Sequence, residues 1–282
     1  MYRFFVASFS IFLFFSCTIK PAVITTPLEE EPEEILVENT YLSIDLTALT
    51  TALVNAGLPS NISVKIQECA DDSVFINKFL AILNSDPYLW VFIDKETSLS
   101  ANYAPDDLVE LNNGSYVINR DDLLLRSVAA ESLEEMSSAA RNQGLTIVVS
   151  SAYRSYSYQE EVFARTVRQW GMRNANVASA RPGHSQHQLG LAVDFGSVTI
   201  AFASTPEGRW LSANASRFGW SLSYPNGYER ITGYRWECWH YRYVGREIAD
   251  FIDSYFNGIQ HYALKFLHEY KKLAMRNEGA VY

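Results

Sequence analysis

The stretches of this chain suited to β-strands are crowded into its middle, with helical periodicity on either side. Strand candidates are Thr146–Val149, Leu191–Phe195, Trp220–Tyr224 and Trp239–Val244, all rich in β-branched or aromatic residues, with an earlier one at Leu89–Ile93. Leu125, Val128, Ala129, Leu133, Met136 and Ala140 share one helical face, which Gly144 terminates. Further helices are expected over Tyr158–Gln169, Trp210–Phe218 and Val244 to about Arg276. Strands in the centre and helices at the ends predict an α+β fold, a mixed or antiparallel central sheet covered by helices, and not a doubly wound one.

Composition narrows the functional classes. Against 23 Lys+Arg stand 32 Asp+Glu, a formal charge of −9, which argues against the clustered basic footprint that nucleic acid needs. A hydrophobic content of 48% with 14% aromatic residues excludes a mostly disordered chain, and 282 residues can bury a core without staples. Cys17, Cys69 and Cys238 are too few for a disulfide scaffold and lack Cys-x-x-Cys spacing. The chain has no internal repeat.

The beginning of the chain reads as an address. Arg3 precedes an uncharged apolar run from Phe4 to Phe15, and roughly a dozen residues is too short to span a bilayer but suits a signal peptide. The run ends at Ser16-Cys17, similar to a bacterial lipoprotein processing site, so residues 1–17 are expected to direct export and Cys17 to carry lipid. Residues 18–40 hold three prolines and six glutamates with no helical or strand period, the composition of a solvated tether. Cys69 and Cys238 could pair in an oxidising envelope, which sequence leaves open. Residues 41–86 predict a small helical prelude: Leu46, Leu49 and Leu53 recur before Gly57, and Val74, Phe75, Phe79, Leu80 and Leu83 recur after Asp72-Ser73, an N-cap candidate. Residues 87–276 make up the main domain.

The polar groups at the strand ends carry the chemistry. His187 and Asp194 bracket a turn at Gly190, and Glu237-Cys238-Trp239-His240 stands at the last strand. Two histidines and a carboxylate leave the fourth position of a tetrahedral Zn²⁺ open for water, and a further carboxylate that does not bind the metal can act as general base. Glu237, three residues before His240, fits that part. The pattern is not His-Glu-x-x-His on one helix, so the site must be assembled from separate strands.

Ser185-x-His187-x-x-Gly190-x-Ala192-x-Asp194, Glu237-x-x-His240 and Ser151-Ala152-Tyr153-Arg154 together resemble the zinc D-alanyl-D-alanine carboxypeptidases of the VanY type, within the wider group that includes lysostaphin-like enzymes and the hedgehog signalling domain. The likeness runs from about Tyr88 to Ile248. It implies a zinc site on the sheet with His187, Asp194 and His240 as ligands and Glu237 as base. It further implies Arg154 as the cation facing the scissile carbonyl, and Ser185, Gln159 and Tyr224 as substrate-binding residues. Cys238 stands where Pro is usual in the family, Gln186 where Glu is common, Leu189 where Thr is common and Ala152 where Gly is common, so specificity is affected more than activity. His184 is the rival to His187 for the metal and reads as a pocket-edge residue. His261 and His268 read as solvated, and Trp236, Trp239 and Tyr241 as packing around the site.

The expected activity is removal of the C-terminal D-Ala from peptidoglycan stem peptides in the bacterial cell envelope, by a monomer held at the membrane through a lipid on Cys17. L,D-carboxypeptidase activity on tetrapeptide stems uses nearly the same residues. A non-catalytic peptidoglycan-binding module is the reading from a different class, and Glu237 with Arg154 argues against it.

Overall fold

The computed structural model describes residues 43–278, and the leader, Cys17 and tether at 1–40 lie outside the described residues. Helix α1 (Leu46–Asn55) begins at Asp45, whose carboxylate accepts the amides of Thr47 and Ala48. After α2 (Ser60–Glu68), Asp72 starts α3 (Ser73–Leu83) in the same way. Leu49, Leu53, Phe75, Phe79 and Leu83 are buried, whereas Leu46 and Val74, expected on the same faces, are exposed.

Leu89–Ile93 is not a strand. Asp86 caps α4 (Pro87–Trp90), with Pro87 preset for its first turn, and no ladder forms beyond it. The carbonyls of Tyr88, Leu89 and Val91 instead accept hydrogen bonds from the guanidinium of the fully buried Arg242 at 2.8, 3.2 and 2.9 Å. A side chain thus supplies the donors that a neighbouring strand would have supplied.

The middle of the chain follows as β1 (Leu108–Glu110), β2 (Val117–Ile118), β3 (Leu124–Arg126), α5 (Ser127–Arg141), β4 (Val148–Ser151) and α6 (Tyr156–Ala178). Then come β5 (Ala192–Phe195), α7 (Pro206–Asn214), β6 (Trp220–Leu222), α8 (Glu229–Thr232), β7 (His240–Tyr243), α9 (Arg246–Tyr255) and α10 (Gln260–Glu278). Leu125 belongs to β3, ahead of the helix it was expected to join. The expected single C-terminal helix is two, broken at Asn257 and Gly258, whose φ values of 55° and 74° no helix accommodates.

The central sheet has the order β2-β4-β5-β7-β6, with β2 parallel to β4 and the other pairs antiparallel, while β1 and β3 form a separate ribbon. This is the mixed, helix-covered sheet that the strand distribution predicts. Its register places Asp194 of β5 between Ser151 of β4 and His240 of β7.

Two apolar cores result. One lies between the sheet, α5 and α7. The other joins α1, α2 and α3 to α9 and α10, with Phe79 at its centre, 5.6 Å from Phe266, 6.0 Å from Phe251 and 4.8 Å from Tyr270 between ring centroids. The helices of 41–86 therefore bury their apolar faces against the C-terminal pair. His261 and His268 sit in this region and are half-buried, less solvated than expected: both rings pack on Phe92, and burial pushes the His261 imidazole down to about 4. Cys69 and Cys238 are both free thiols. Among the described residues no helix is long and apolar enough to cross a membrane.

Candidate metal centre

Adjacent strands bring Asp194 and His240 side by side, and a tight turn delivers the third group. Ser185 caps the 3-10 turn Gln186–Leu189 by accepting the amide of His187 at 3.3 Å. The turn closes at Gly190, φ 66°, where a Cβ would meet Leu108 Cδ2 at 2.9 Å, so only glycine fits. His187, Asp194 and His240 are all buried, and one ligand atom from each lies within 4.8 Å of the others.

The hydrogen bonds around the two imidazoles fix which nitrogen each offers. His187 Nδ1 faces the carbonyl of Ala152 at 2.6 Å and must donate there, so its lone pair is on Nε2, 3.3 Å from Asp194 Oδ2. For His240 the order is reversed, through a chain of amides anchored on a backbone carbonyl. Ser221 O can only accept, which turns Gln260 Nε2 toward it at 3.1 Å and Gln260 Oε1 toward Gln186. Gln186 therefore presents Nε2 to Gln260 at 3.1 Å and Oε1 to His240 Nε2 at 3.2 Å. Ser223 Oγ also donates to Gln186 Oε1, at 2.7 Å. His240 Nε2 is thus committed to Gln186, and Nδ1, 3.0 Å from Asp194 Oδ1, is the nitrogen turned toward the carboxylate.

This donor set suits a divalent metal. Burial and the neighbouring Arg154 cation hold His187 down to about 4, so the ring is neutral near pH 7. Burial pushes the Asp194 carboxyl up, but His187, His240 and Arg154 outweigh it and hold it well below the usual carboxylate range. Two imidazoles and one carboxylate are the ligand set of an open, catalytic zinc site, and the outer hydrogen bond on each ring sets its orientation.

Arg154 lies against the same atoms, its Nη2 2.7 Å from Asp194 Oδ2 and 3.0 Å from His187 Nε2. Gln159, expected to touch substrate, is fully buried. Its Oε1 accepts from Arg154 Nη1 at 3.2 Å and its Nε2 donates to Ala180 O at 2.8 Å. Ser185 is likewise buried, engaged in its turn. The Tyr224 ring packs 4.9 Å from that of His240 and 4.7 Å from that of Tyr234. His184 is outside the metal cluster, its Nδ1 bonded to Asp94 O at 2.8 Å.

Glu237 precedes β7 on the same buried side, with its amide held by Tyr224 O at 3.0 Å. Burial and the nearby Asp194 carboxylate raise it to about 8, opposed by Arg235, Arg154 and Lys95. A carboxyl so tuned can take or give a proton near neutral pH. Cys238 is buried, its Sγ near the carbonyls of Thr199 and Ile200. The sequence flagged Gln186 only as a departure. It gave no sign of Gln260, because a glutamine on a distant helix carries no pattern.

A hydrolase that activates water on a metal needs two or three basic ligands, an open coordination position and a separate proton acceptor, and here β5 and β7 supply Asp194 and His240, a 3-10 turn supplies His187 and the segment before β7 supplies Glu237. The comparisons with known proteins narrow this class. The sequence profile described as VanY: D-alanyl-D-alanine carboxypeptidase matches residues 122–246. YodJ of Bacillus subtilis, named as a carboxypeptidase, is 36% identical over 182 residues, 62% of this chain and 67% of that one. Among solved structures, the LdcB LD-carboxypeptidase, described with the molecular basis of peptidoglycan recognition, aligns with a TM-score of 0.55 at 33% identity, covering 63% of this chain and 88% of that one. A mutant of the vancomycin-resistance D,D-pentapeptidase VanY in complex with Zn(II) aligns with a TM-score of 0.51 at 32% identity, covering 65% and 98%. The chain belongs to the VanY D-alanyl-D-alanine carboxypeptidase family. It spans 67% of the length of YodJ and 59% and 54% of two enterococcal D-alanyl-D-alanine carboxypeptidases that it also matches.

Proposed function

We propose that this protein is a zinc-dependent carboxypeptidase that removes the C-terminal D-Ala of peptidoglycan stem peptides. The observation that carries the reading is the buried His187–Asp194–His240 cluster, with His187 Nδ1 and His240 Nε2 each engaged by an outer partner so that His187 Nε2 and His240 Nδ1 face Asp194. His187 Nε2, Asp194 and His240 Nδ1 would hold the ion. When bound, zinc supplies Lewis-acid chemistry that brings the pKa of water toward neutrality. Glu237 accepts the proton of the attacking water and returns it to the leaving amine. Arg154, held by Gln159, donates to the oxygen of the scissile carbonyl, where negative charge grows in the transition state. Ser185 and Tyr224 contribute to the pocket for the terminal residue, and Gln159 acts on substrate through Arg154.

The chain is exported, carries lipid on Cys17 and reaches its substrate in the bacterial cell envelope as a monomer on the tether of residues 18–40. The lead for this is the leader and tether composition. L,D cleavage of tetrapeptide stems is the second reading, favoured by the likeness to the LdcB LD-carboxypeptidase. Mass spectrometry of pentapeptide and tetrapeptide muropeptides after incubation with the zinc-loaded chain separates the two. Loss of one alanine from the pentapeptide alone supports D,D cleavage, and loss from the tetrapeptide alone supports L,D cleavage. No loss from either, with zinc bound, overturns both in favour of a binding module.

A further inference from the structure

Two cations, Lys95 and Arg181, are tied to Asn176 at the C-terminal end of α6, and the backbone of a third, Arg235, joins the same turn, in a chain whose formal charge is −9. Lys95 Nζ donates to the carbonyl of Asn176 and lies 3.3 Å from the centroid of the Tyr234 ring. Its stem passes over Gly233, where a Cβ would meet Lys95 Cγ at 2.8 Å. Arg181 Nε donates to the side-chain oxygen of the same Asn176 at 3.3 Å. Arg235 donates its backbone amide to Val177 O at 3.0 Å. Its half-exposed guanidinium lies 5.2 Å from the ring centroid of Trp170 and 6.0 Å from that of Trp239, with Nε 4.0 Å from Glu237 Oε1.

The placement is built, because each cation is fixed by a contact other than an ion pair. Stacking on Tyr234, Trp170 and Trp239 holds charge in position without neutralising it. The carboxylates in reach are Asp94, whose Oδ1 is occupied by the amides of Glu96 and Thr97 at 2.9 and 2.8 Å, and Glu237, the proposed base. Burial lowers the Lys95 ammonium to about 8, opposed by the Glu237 carboxylate, with Arg181 acting in the same direction as burial. An ammonium has three donors and a guanidinium five, so donors remain after the contacts to Asn176.

We propose that Lys95, Arg181 and Arg235 form a carboxylate-binding subsite on the last turn of α6, which takes a free carboxylate of an acidic peptide substrate next to Glu237. The identity of that peptide rests on the function proposed above. The carboxylate comes either from the terminal residue that is cut off or from a residue further up the stem.

The test is steady-state kinetics of the full zinc-loaded chain with Lys95→Gln, Arg181→Gln and Arg235→Gln. The substrates are two synthetic pentapeptide stems that differ in one group: the second residue, a γ-linked glutamate, carries either its free carboxylate or the amide. KM is expected to rise about 10- to 100-fold in all three variants, as for loss of charge-assisted hydrogen bonds, with kcat held within a few fold in Arg181→Gln, and Arg235→Lys is expected to recover part of the loss in KM. A rise confined to the free-carboxylate peptide assigns the subsite to the stem. An equal rise with both peptides assigns it to the terminal carboxylate. Unchanged KM for both peptides in all three variants overturns the proposal. If wild-type protein with zinc cleaves neither peptide, the proposed function fails. Calorimetric binding of both peptides to wild type and Arg235→Gln then still decides the subsite, with equal affinities overturning it.

Discussion

Gln186 Oε1 lies 3.2 Å from His240 Nε2, and the direction of that hydrogen bond is decided elsewhere, at the carbonyl of Ser221. The carbonyl orients Gln260, Gln260 orients Gln186, and Gln186 makes His240 present Nδ1 to Asp194. Helix α10, which lies beyond the matched segment 122–246, thereby sets the tautomer of a proposed metal ligand.

Replacing Gln260 by Leu should therefore weaken zinc without dismantling the fold. Loss of an outer partner of a ligating histidine costs about 10- to 100-fold in metal affinity. Chelator competition on the variant and on wild type reads this directly. Equal affinities would mean that the amide chain does not orient His240.

Phe79→Ala should destabilise the protein by about 3–5 kcal/mol, the usual cost of removing a buried phenylalanine, because its ring packs on Phe75, Phe251, Phe266 and Tyr270. Urea unfolding measures it. A chain begun at residue 87 should expose the facing aromatic residues and fail to give a cooperative transition. A stable, zinc-binding fragment from that start would contradict the shared core.

Acid should cost stability through His261. Its imidazole is pushed from 6.5 to about 4, so between those values the unfolded chain binds the proton and the folded chain does not. Stability is complete above pH 6.5 and falls as pH drops toward 4, by about 2–3 kcal/mol after allowance for partial exposure. Chemical denaturation of metal-free protein at pH 7 and pH 5 should show a smaller loss in His261→Leu than in wild type. Equal losses would place the acid sensitivity elsewhere.

Arg154→Lys should lower kcat by about 10²–10³, the effect of losing one donor to a developing oxyanion. Gln159→Leu should cost less, since it frees the guanidinium without removing it. Steady-state kinetics on both variants checks the order, and a larger loss in Gln159→Leu would point to direct contact with substrate.

The sequence exposed the centre of the site because its chemistry is local. His187 to Asp194 and Glu237 to His240 are short spacings on one turn and two strands, and the register of β5 and β7 brings them together. The strand at Leu89–Ile93 was misread because Asp86-Pro87 starts a helix there, and because the carbonyls that follow are satisfied by Arg242, more than 150 residues on. His261 looked solvated beside Lys265 because the aromatic ring that buries it, Phe92, is equally distant. Side-chain partners across such separations leave no periodic trace. Lys95, Arg181 and Arg235 escaped for the same reason, since their common anchor is Asn176–Val177.

The role of Glu237 is the centre of the account, and one substitution addresses it most directly. Zinc content and turnover of Glu237→Gln should be measured on the same preparation against a pentapeptide stem. Zinc should be bound at the wild-type stoichiometry and kcat should be lower by about 10²–10⁴, the contribution of a positioned general base. Wild-type turnover in a zinc-loaded Glu237→Gln variant would contradict that role.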